Sequence, residues 1–138
     1  MIDANFSLFL DSLFLYDNQL TGSIPENIGA LYNMEEIDLS NNPLQGSIPS
    51  SIGNMKKLMR LSLLNDNLNG TIPEAIGSFS NLAKINVARN ALTGTIPLGF
   101  NNLQNLGTFP LAINLHDLID FVYVLSQLTD FENKNTFS

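Results

Sequence analysis

The chain has 138 residues, with 13 acidic and 6 basic side chains, so its formal net charge is −7. Nucleic acids and anionic membranes bind proteins through clustered Lys and Arg, and the nearest approach to a cluster here is Lys56, Lys57 and Arg60. The absence of cysteine excludes disulfide bonds, thiolate catalysis and cysteine-ligated metals. We therefore expect one domain that does not bind nucleic acid.

The amino-terminal segment, residues 1–15, is apolar, but it lacks a basic beginning and is interrupted by Asp3 and Asp11. These features make it a poor signal peptide. No apolar run reaches the roughly 18–20 residues that span a bilayer. We expect neither a signal peptide nor a transmembrane segment within this sequence.

A pattern of apolar, Asn, Gly and Pro residues returns every 24 residues without insertion. Its first copy consists of Leu13, Leu15, Asn18, Leu20, Gly22, Ile24 and Pro25. Its fourth copy consists of Ile85, Val87, Asn90, Leu92, Gly94, Ile96 and Pro97. A fixed period of this kind predicts stacked repeats, and a single repeat has too few apolar side chains to fold alone.

Each repeat is predicted to begin with a short strand. In the first repeat Leu13 and Leu15 face the core, because side chains alternate along a strand, and Phe14 and Tyr16 face solvent. Equivalent residues of successive repeats then form columns, since neighbouring strands lie about 4.8 Å apart.

An amide side chain is expected after each strand. The positions are Asn18, Asn42, Asp66, Asn90 and Asn114. A side-chain amide both donates and accepts, so it satisfies backbone groups that the sharp turn leaves unpaired. An ionised Asp66 only accepts, so we expect an unpaired carbonyl beside it and a gain in stability on Asp66→Asn.

Two sets of glycines mark bends. The first set, predicted to need positive φ or close backbone approach, is Gly22, Gly46, Gly70 and Gly94. The second set, predicted to lie near the end of the outer segment, where a short helical turn stops, is Gly29, Gly53 and Gly77.

The combined pattern LxxLxLxxNxLxGxIPxxIGxL covers about residues 10–114 and resembles plant-type leucine-rich repeats. Receptor-like kinase ectodomains and polygalacturonase-inhibiting proteins carry such repeats. The resemblance implies an α/β repeat solenoid, a right-handed horseshoe. Its concave face is a parallel β-sheet, a second short sheet lies near Gly-x-Ile-Pro, and its convex side has 3₁₀ turns and loops. It also implies an extracellular or cell-surface location.

The ends of the chain depart from the repeat. Residues 1–114 are predicted to form the leucine-rich repeat domain, with four full repeats and partial ends, and residues 115–138 a capping helix over 115–128 and a disordered tail. The alternative is a truncated fragment whose tail is unrelated sequence. We favour a fragment of a longer repeat protein, because the amino end shows no cap, and expect self-association through that end.

The predicted concave face carries the candidate ligand contacts. They are Phe14, Tyr16, Glu36, Asp38, Arg60, Leu64, Lys84, Asn86 and Arg89. Phe14, Tyr16 and Leu64 are apolar or aromatic where solvent is expected, a composition typical of binding hot spots. Acidic residues precede basic ones along the axis, which would orient a ligand of mixed charge. The competing interpretation is ordinary pairing of Glu36 with Arg60 and a missing neighbour over the aromatic side chains.

The sequence gives little support for an arrangement of catalytic residues. His116 is the sole histidine, no nucleophile–base pair includes it, and we expect it on the surface of the cap. Glu36 and Asp38 lie about 6.6 Å apart on one strand face, near a glycosidase-like spacing, but exposed acids on strands are usually only solvated. We expect no enzyme activity, no cofactor and no metal site.

Two further features concern the surface. Asn5-Phe6-Ser7 and Asn69-Gly70-Thr71 match the N-glycosylation sequon, which matters only if the protein is secreted. A column of hydroxyl groups consists of Ser23, Ser47, Thr71 and Thr95. Such a row is conceivable as a structural or ice-binding surface, although side chains that merely serve the second sheet are the simpler explanation.

The predicted function is a non-catalytic module that recognises a protein or peptide, as part of a receptor-like ectodomain. The alternative is a soluble inhibitor of a secreted enzyme, of the polygalacturonase-inhibiting type. A structural or ice-binding surface is the remote alternative.

Overall fold

The computed structural model describes residues 10–103 and 105–106 of the chain. Within them each repeat contributes two short strands and one 3₁₀ turn. The strands are β1 (Ser12–Phe14), β2 (Gly22–Ser23), β3 (Glu36–Asp38), β4 (Leu44–Ser47), β5 (Arg60–Ser62), β6 (Asn67–Thr71), β7 (Lys84–Asn86) and β8 (Ala91–Thr93). The 3₁₀ turns are η1 (Glu26–Ala30), η2 (Ser50–Asn54), η3 (Glu74–Ser78) and η4 (Leu98–Asn102).

The first sheet is parallel, with strand order β1-β3-β5-β7. Its register matches the sequence period, because Ser12 lies opposite Glu36, Glu36 opposite Arg60, and Arg60 opposite Lys84. Equivalent residues therefore form continuous columns. The predicted repeat solenoid with a parallel sheet is confirmed.

The second sheet is also parallel, with strand order β2-β4-β6-β8, but its register is staggered. Ser23 lies opposite Gln45 and Ser47 opposite Asn69, so partners are separated by 22 residues. The hydroxyl column expected from the 24-residue period is therefore displaced by two residues at each repeat, and its members are not directly paired.

The core is one apolar column that runs between the sheets and the 3₁₀ turns. Core positions are almost completely buried where repeats lie on both sides: Leu39 is 6% exposed and Leu44 is 5% exposed. Their counterparts in the first repeat, Leu15 and Leu20, are 37% and 38% exposed. The first repeat, called the first rung below, has no further repeat on its outer side among the described residues, so nothing there covers Leu15 and Leu20.

The positions Asn18, Asn42, Asp66, Asn90 and Asn114 are here called the Asn column. The predicted role of this column is confirmed at Asn42. Its Nδ2 donates to the carbonyls of Leu15 at 2.9 Å and Leu39 at 2.7 Å, and its Oδ1 accepts from the backbone N–H of Leu20 at 3.1 Å. One amide thus serves both kinds of backbone group across two adjacent repeats.

The same arrangement recurs at Asn90, whose Nδ2 donates to the carbonyls of Leu63 and Val87. Its Oδ1 accepts from the backbone N–H of Leu68. Asn18, on the first rung, is exposed, and its Nδ2 donates within its own turn, to the carbonyls of Leu15 and Tyr16.

The two glycine sets have different causes. Those of the first set have φ between 77° and 83°, as predicted. The second set lies near the end of the 3₁₀ turns, as predicted, one residue before the last residue of each turn. A Cβ on Gly77 would come 2.5 Å from the Cα of Gly99, and one on Gly53 would come 2.5 Å from the Cβ of Ala75. These positions are glycine because successive turns pack closely.

The predicted helix over 115–128, the tail, Asn114 and His116 all lie outside the described residues. The helical elements of the described residues are 3₁₀ turns of five residues each, too short to span a membrane.

Candidate functional site

The candidate ligand contacts lie on one surface, here called the first-sheet face. It consists of the outward side chains of the first sheet and three that follow its strands: Ser12, Phe14, Tyr16, Glu36, Asp38, Arg60, Ser62, Leu64, Lys84, Asn86 and Arg89. All nine sequence-predicted ligand contacts belong to it. The sheet register aligns those on the strands in two rows, one through Glu36, Arg60 and Lys84 and one through Phe14, Asp38 and Asn86.

The aromatic side chains lie at one end of this face. Phe14 is 52% exposed and Tyr16 is 53% exposed. Leu64, predicted to be solvent-exposed, is half-buried and therefore less exposed than Phe14 and Tyr16. Its backbone N–H donates to Ser40 Oγ at 3.2 Å. The exposed apolar part of the face is therefore confined to the first rung.

The centre of the face holds an ion pair. Arg60 Nη1 lies 3.2 Å from Glu36 Oε2, with both side chains partly exposed. Asp38 is also engaged, since its Oδ1 accepts from the backbone N–H of Ser40 at 3.0 Å. The ladder pairing considered for Glu36 and Arg60 is present, and both Glu36 and Asp38 have a partner within the fold.

Asn86 repeats the contact of Asp38 two strands away. Its Oδ1 accepts from the backbone N–H of Ala88 at 3.2 Å. Asp38 and Asn86 therefore stabilise the turn that follows each strand, a local side-chain-to-backbone bond that Asx residues favour. The sequence had identified both only as ligand contacts.

The far end of the face is cationic. Lys84 and Arg89 are exposed, and their side chains make no hydrogen bond or ion pair with the described residues. Uncompensated exposed cations next to a neutralised ion pair make this end attractive to an anionic group.

A side-chain ladder runs along the edge of this face, in a column that the 24-residue period predicted without its hydrogen bonds or its backbone conformation. Asn41 Nδ2 donates to Asp17 Oδ1 at 2.7 Å, and Asn65 Nδ2 donates to Asn41 Oδ1 at 3.0 Å. Asp17, Asn41, Asn65 and Arg89 have φ between 55° and 58°. Asn and Asp tolerate this left-handed geometry, whereas Arg does not favour it. The available signal was a polar residue directly before each member of the Asn column.

Asp66 replaces an amide of the Asn column, and the sequence predicted an unpaired group there but not which group it is. Its Oδ2 is buried without a hydrogen-bond partner. The carbonyls of Leu39 and Leu63, beside it, accept from the amides of Asn42 and Asn90. The prediction of an unpaired carbonyl is therefore wrong for Leu39 and Leu63. The unpaired atom is a carboxylate oxygen of Asp66 itself.

Burial raises the pKa of Asp66 from 3.8 to about 6. The hydrogen bond from the backbone of Asn42 lowers it in part, and the negative charge of Asp38 raises it further. Asp66 is buried and is therefore not part of the exposed first-sheet face. Among the described residues no cluster of three metal-ligating side chains occurs.

The leucine-rich repeat family model matches residues 9–31, 33–55 and 81–103. Comparison with curated proteins finds no match. Among solved structures, the ectodomain of the receptor kinase GASSHO1/SCHENGEN3 from Arabidopsis thaliana, in complex with CASPARIAN STRIP INTEGRITY FACTOR 2, is 37% identical with a TM-score of 0.73. The match covers 77% of this chain and 13% of that one.

Two other solved structures are informative. A chain in the complex of the Arabidopsis receptor kinase HAESA with the peptide hormone IDA and the co-receptor SERK1 is 37% identical, with a TM-score of 0.69, over 75% of this chain and 18% of that one. A plant ice-binding protein is 35% identical, with a TM-score of 0.66, over 72% of this chain and 32% of that one. The chain thus spans less than a third of each of these three proteins.

The 24-residue period, the two parallel sheets and these matches agree with one another. The chain belongs to the leucine-rich repeat family, and its repeats are of the plant type found in receptor kinase ectodomains.

Proposed function

We propose that the chain is part of a non-catalytic extracellular recognition module that binds an extended peptide, or an extended segment of a protein, on its first-sheet face. The observation that carries this proposal is the polarity of that face. Exposed Phe14 and Tyr16 occupy one end, and unpaired Lys84 and Arg89 occupy the other. A surface with an apolar anchor and a separate charged contact favours one orientation of its ligand.

The spacing of the face limits the ligand. Three steps between neighbouring strands separate β1 from β7, which amounts to about 14 Å at about 4.8 Å per step. An extended peptide of about four or five residues covers that distance at about 3.3 Å per residue. The expected ligand segment therefore has an apolar or aromatic side chain near Phe14 and a carboxylate near Lys84. The central Glu36–Arg60 pair is already neutralised and contributes little to affinity.

Two solved structures support a bound ligand, and one of them supports peptides as its class. The GASSHO1/SCHENGEN3 structure is a complex with CASPARIAN STRIP INTEGRITY FACTOR 2, and the HAESA structure is a complex with the peptide hormone IDA. The partly engaged carboxylates of Glu36 and Asp38 support a non-catalytic module, because each already has a structural partner.

The proposal is tested with a displayed library of random peptides, selected for binding to the wild-type chain. Binding of the selected peptides is then measured for Phe14→Ala and Lys84→Glu. Truncation of a hot-spot residue typically costs more than about 1 kcal/mol, so each change is expected to weaken binding about fivefold or more. Thr93→Ala, on the second sheet, is the matched control and should bind as wild type. Unchanged affinity of both first-sheet variants would refute the surface assignment.

In the enzyme-inhibitor alternative, the first-sheet face binds a secreted enzyme instead of a peptide. It is tested by adding the chain to a secreted polygalacturonase and measuring hydrolysis of its substrate. Dose-dependent inhibition that Arg60→Glu abolishes would favour the inhibitor over the peptide receptor.

A second candidate function is ice binding, and a specific surface favours it. The second-sheet face, defined as the exposed side chains of the second sheet, has no charged member: Ser23, Gln45, Ser47, Asn67, Asn69, Thr71, Ala91 and Thr93. The similarity to a plant ice-binding protein points the same way. Thermal hysteresis of the purified chain tests it, with Thr71→Lys expected to abolish the effect. The staggered register places Ser23 opposite Gln45 and Ser47 opposite Asn69, and only Thr71 lies opposite another hydroxyl residue, Thr93. This interruption of the hydroxyl row argues for the peptide-binding function first.

A further inference from the structure

One sequon of the chain lies in the middle of the second-sheet face. Asn69, Gly70 and Thr71 belong to β6, which pairs with β4 on one side and β8 on the other. Leu68, directly before the sequon, is completely buried, so the alternation of the strand directs Asn69 to the opposite side, where it is exposed. The sequon Asn5-Phe6-Ser7 lies outside the described residues.

The surroundings of Asn69 leave room for a large substituent. Its neighbours across the sheet are Ser47 on β4 and Ala91 on β8, both small and exposed. The Asn69 side chain makes no hydrogen bond to any described residue, in contrast to Asn42, whose amide serves three backbone carbonyls. A group attached to Asn69 Nδ2 therefore displaces no structural contact.

The same position in other repeats cannot accept a sugar in this way. The residues 24 positions before and after Asn69 are Gln45 and Thr93. Within residues 10–103 the sequon is thus confined to one repeat, although the backbone of that repeat requires no Asn there.

We propose that Asn69 carries an N-linked glycan, which covers the second-sheet face and leaves the first-sheet face free for ligand. This proposal rests on the extracellular location in the proposed function, because the transfer takes place during secretion. A lipid-linked oligosaccharide pyrophosphate is the donor. A bond forms between Asn69 Nδ2 and the first sugar carbon, the bond from that carbon to the pyrophosphate oxygen breaks, and the amide loses one proton as the lipid pyrophosphate leaves.

The glycan and the ice-binding candidate exclude each other on this face. A branched, hydrated sugar at the centre of the second sheet prevents a flat approach of Ser47, Thr71 and Thr93 to an ice surface. Phe14 and Lys84 belong to strands of the first sheet and Asn69 to a strand of the second, so the proposed sugar is attached outside the first-sheet face. Occupancy of Asn69 therefore distinguishes the two candidate functions.

The experiment is secretion of the chain from a eukaryotic host, directed by a heterologous signal peptide. Peptide-N-glycosidase in ¹⁸O-labelled water then removes the glycan and converts the modified Asn to labelled Asp. Mass spectrometry of the tryptic fragment from Leu61 to Lys84 locates the labelled residue, and the label separates it from spontaneous deamidation at Asn69-Gly70. Asn5→Gln is introduced throughout, so the other sequon does not contribute. We expect conversion at Asn69 and loss of the glycosidase-sensitive mobility shift in Thr71→Ala.

Thr71→Ser is the matched control, because it keeps the sequon and should keep the mobility shift. Thr93→Ala, a hydroxyl deletion on the neighbouring strand outside the sequon, should also keep it. An unmodified Asn69 in secreted wild-type protein would overturn the proposal. That result leaves the first-sheet face untouched, since peptide binding and its dependence on Phe14 are measured separately.

Discussion

Asp66 accepts a hydrogen bond from the backbone N–H of Asn42 through Oδ1 at 2.8 Å, while its Oδ2 is buried without a partner. In the neighbouring repeats an amide occupies this position and donates to backbone carbonyls. The carbonyl of Leu15 accepts from both Asn18 and Asn42, whereas the carbonyl of Leu39 accepts from Asn42 alone among the side chains described. An amide at position 66 would supply the second donor.

Asp66→Asn is therefore expected to raise the free energy of unfolding by about 1–3 kcal/mol at pH 7, the range for repairing an unsatisfied buried polar group. Chemical denaturation measures the change. The converse variant Asn90→Asp is the matched control and should lose a similar amount, because it removes the amide donor to Leu63 and Val87. An unchanged or lowered stability of Asp66→Asn would contradict this account.

The stability difference between wild type and Asp66→Asn should depend on pH. Burial raises the pKa of Asp66 in the folded chain to about 6, above its ordinary value of 3.8. The folded chain therefore binds more protons than the unfolded chain between these values, and this group's contribution to stability falls as pH rises through about 6. The advantage of Asp66→Asn should be largest above pH 6 and shrink toward pH 4. Denaturation curves at a series of pH values measure it, and a constant difference would exclude titration of Asp66.

Arg89→Asn is expected to stabilise the fold by about 1 kcal/mol, because a non-glycine residue other than Asn or Asp is strained at positive φ. The new amide would also extend the ladder of Asp17, Asn41 and Asn65 by one rung. Thermal unfolding measures the gain. Arg89→Ala removes the same charge without relieving the backbone strain, so equal stability of the two variants would show that charge, not backbone geometry, is responsible.

Gly77→Ala is expected to destabilise the fold by about 1–3 kcal/mol, the usual cost of overpacking. The added Cβ would lie 2.5 Å from the Cα of Gly99, in the contact between η3 and η4. Asn54→Ala, at an exposed position of η2, is the control and should leave the denaturation midpoint unchanged. If Gly77→Ala is as stable as that control, close packing is not the reason for this glycine.

We also expect concentration-dependent self-association through the first rung. Leu15 and Leu20, at core positions, are more than a third exposed, and among the described residues β1 is an edge strand of the first sheet. Sedimentation velocity over a range of concentrations measures the association, and Leu20→Glu should reduce it. Leu98→Glu, at a 70% exposed position of η4, should not. A strictly monomeric wild-type chain at high concentration would refute the expectation.

The fold was predictable because the period appears directly in the sequence. Once the residues of one repeat are assigned to strand, turn and outer segment, those 24 residues away must occupy equivalent places. The prediction of the columns through Glu36, Arg60 and Lys84 succeeded for this reason. The staggered second sheet was not predictable, because the sequence period does not state how far one strand slides past the next.

The candidate site was predictable in its position and only partly in its roles. Alternation along each strand placed Phe14 and Lys84 on the outward face. It could not show that Asp38 and Asn86 bind their own backbone, because that contact depends on the conformation of the turn after each strand.

The sequence by itself determined the repeat, the direction in which strand side chains face, and the anomaly at position 66, since all three follow from comparing equivalent positions. Only the tertiary structure decided which groups near Asp66 have partners, which cations of the first-sheet face are unpaired, and where the turns pack too closely for a Cβ. Those outcomes depend on contacts between repeats, at distances of a few ångströms that no single repeat encodes.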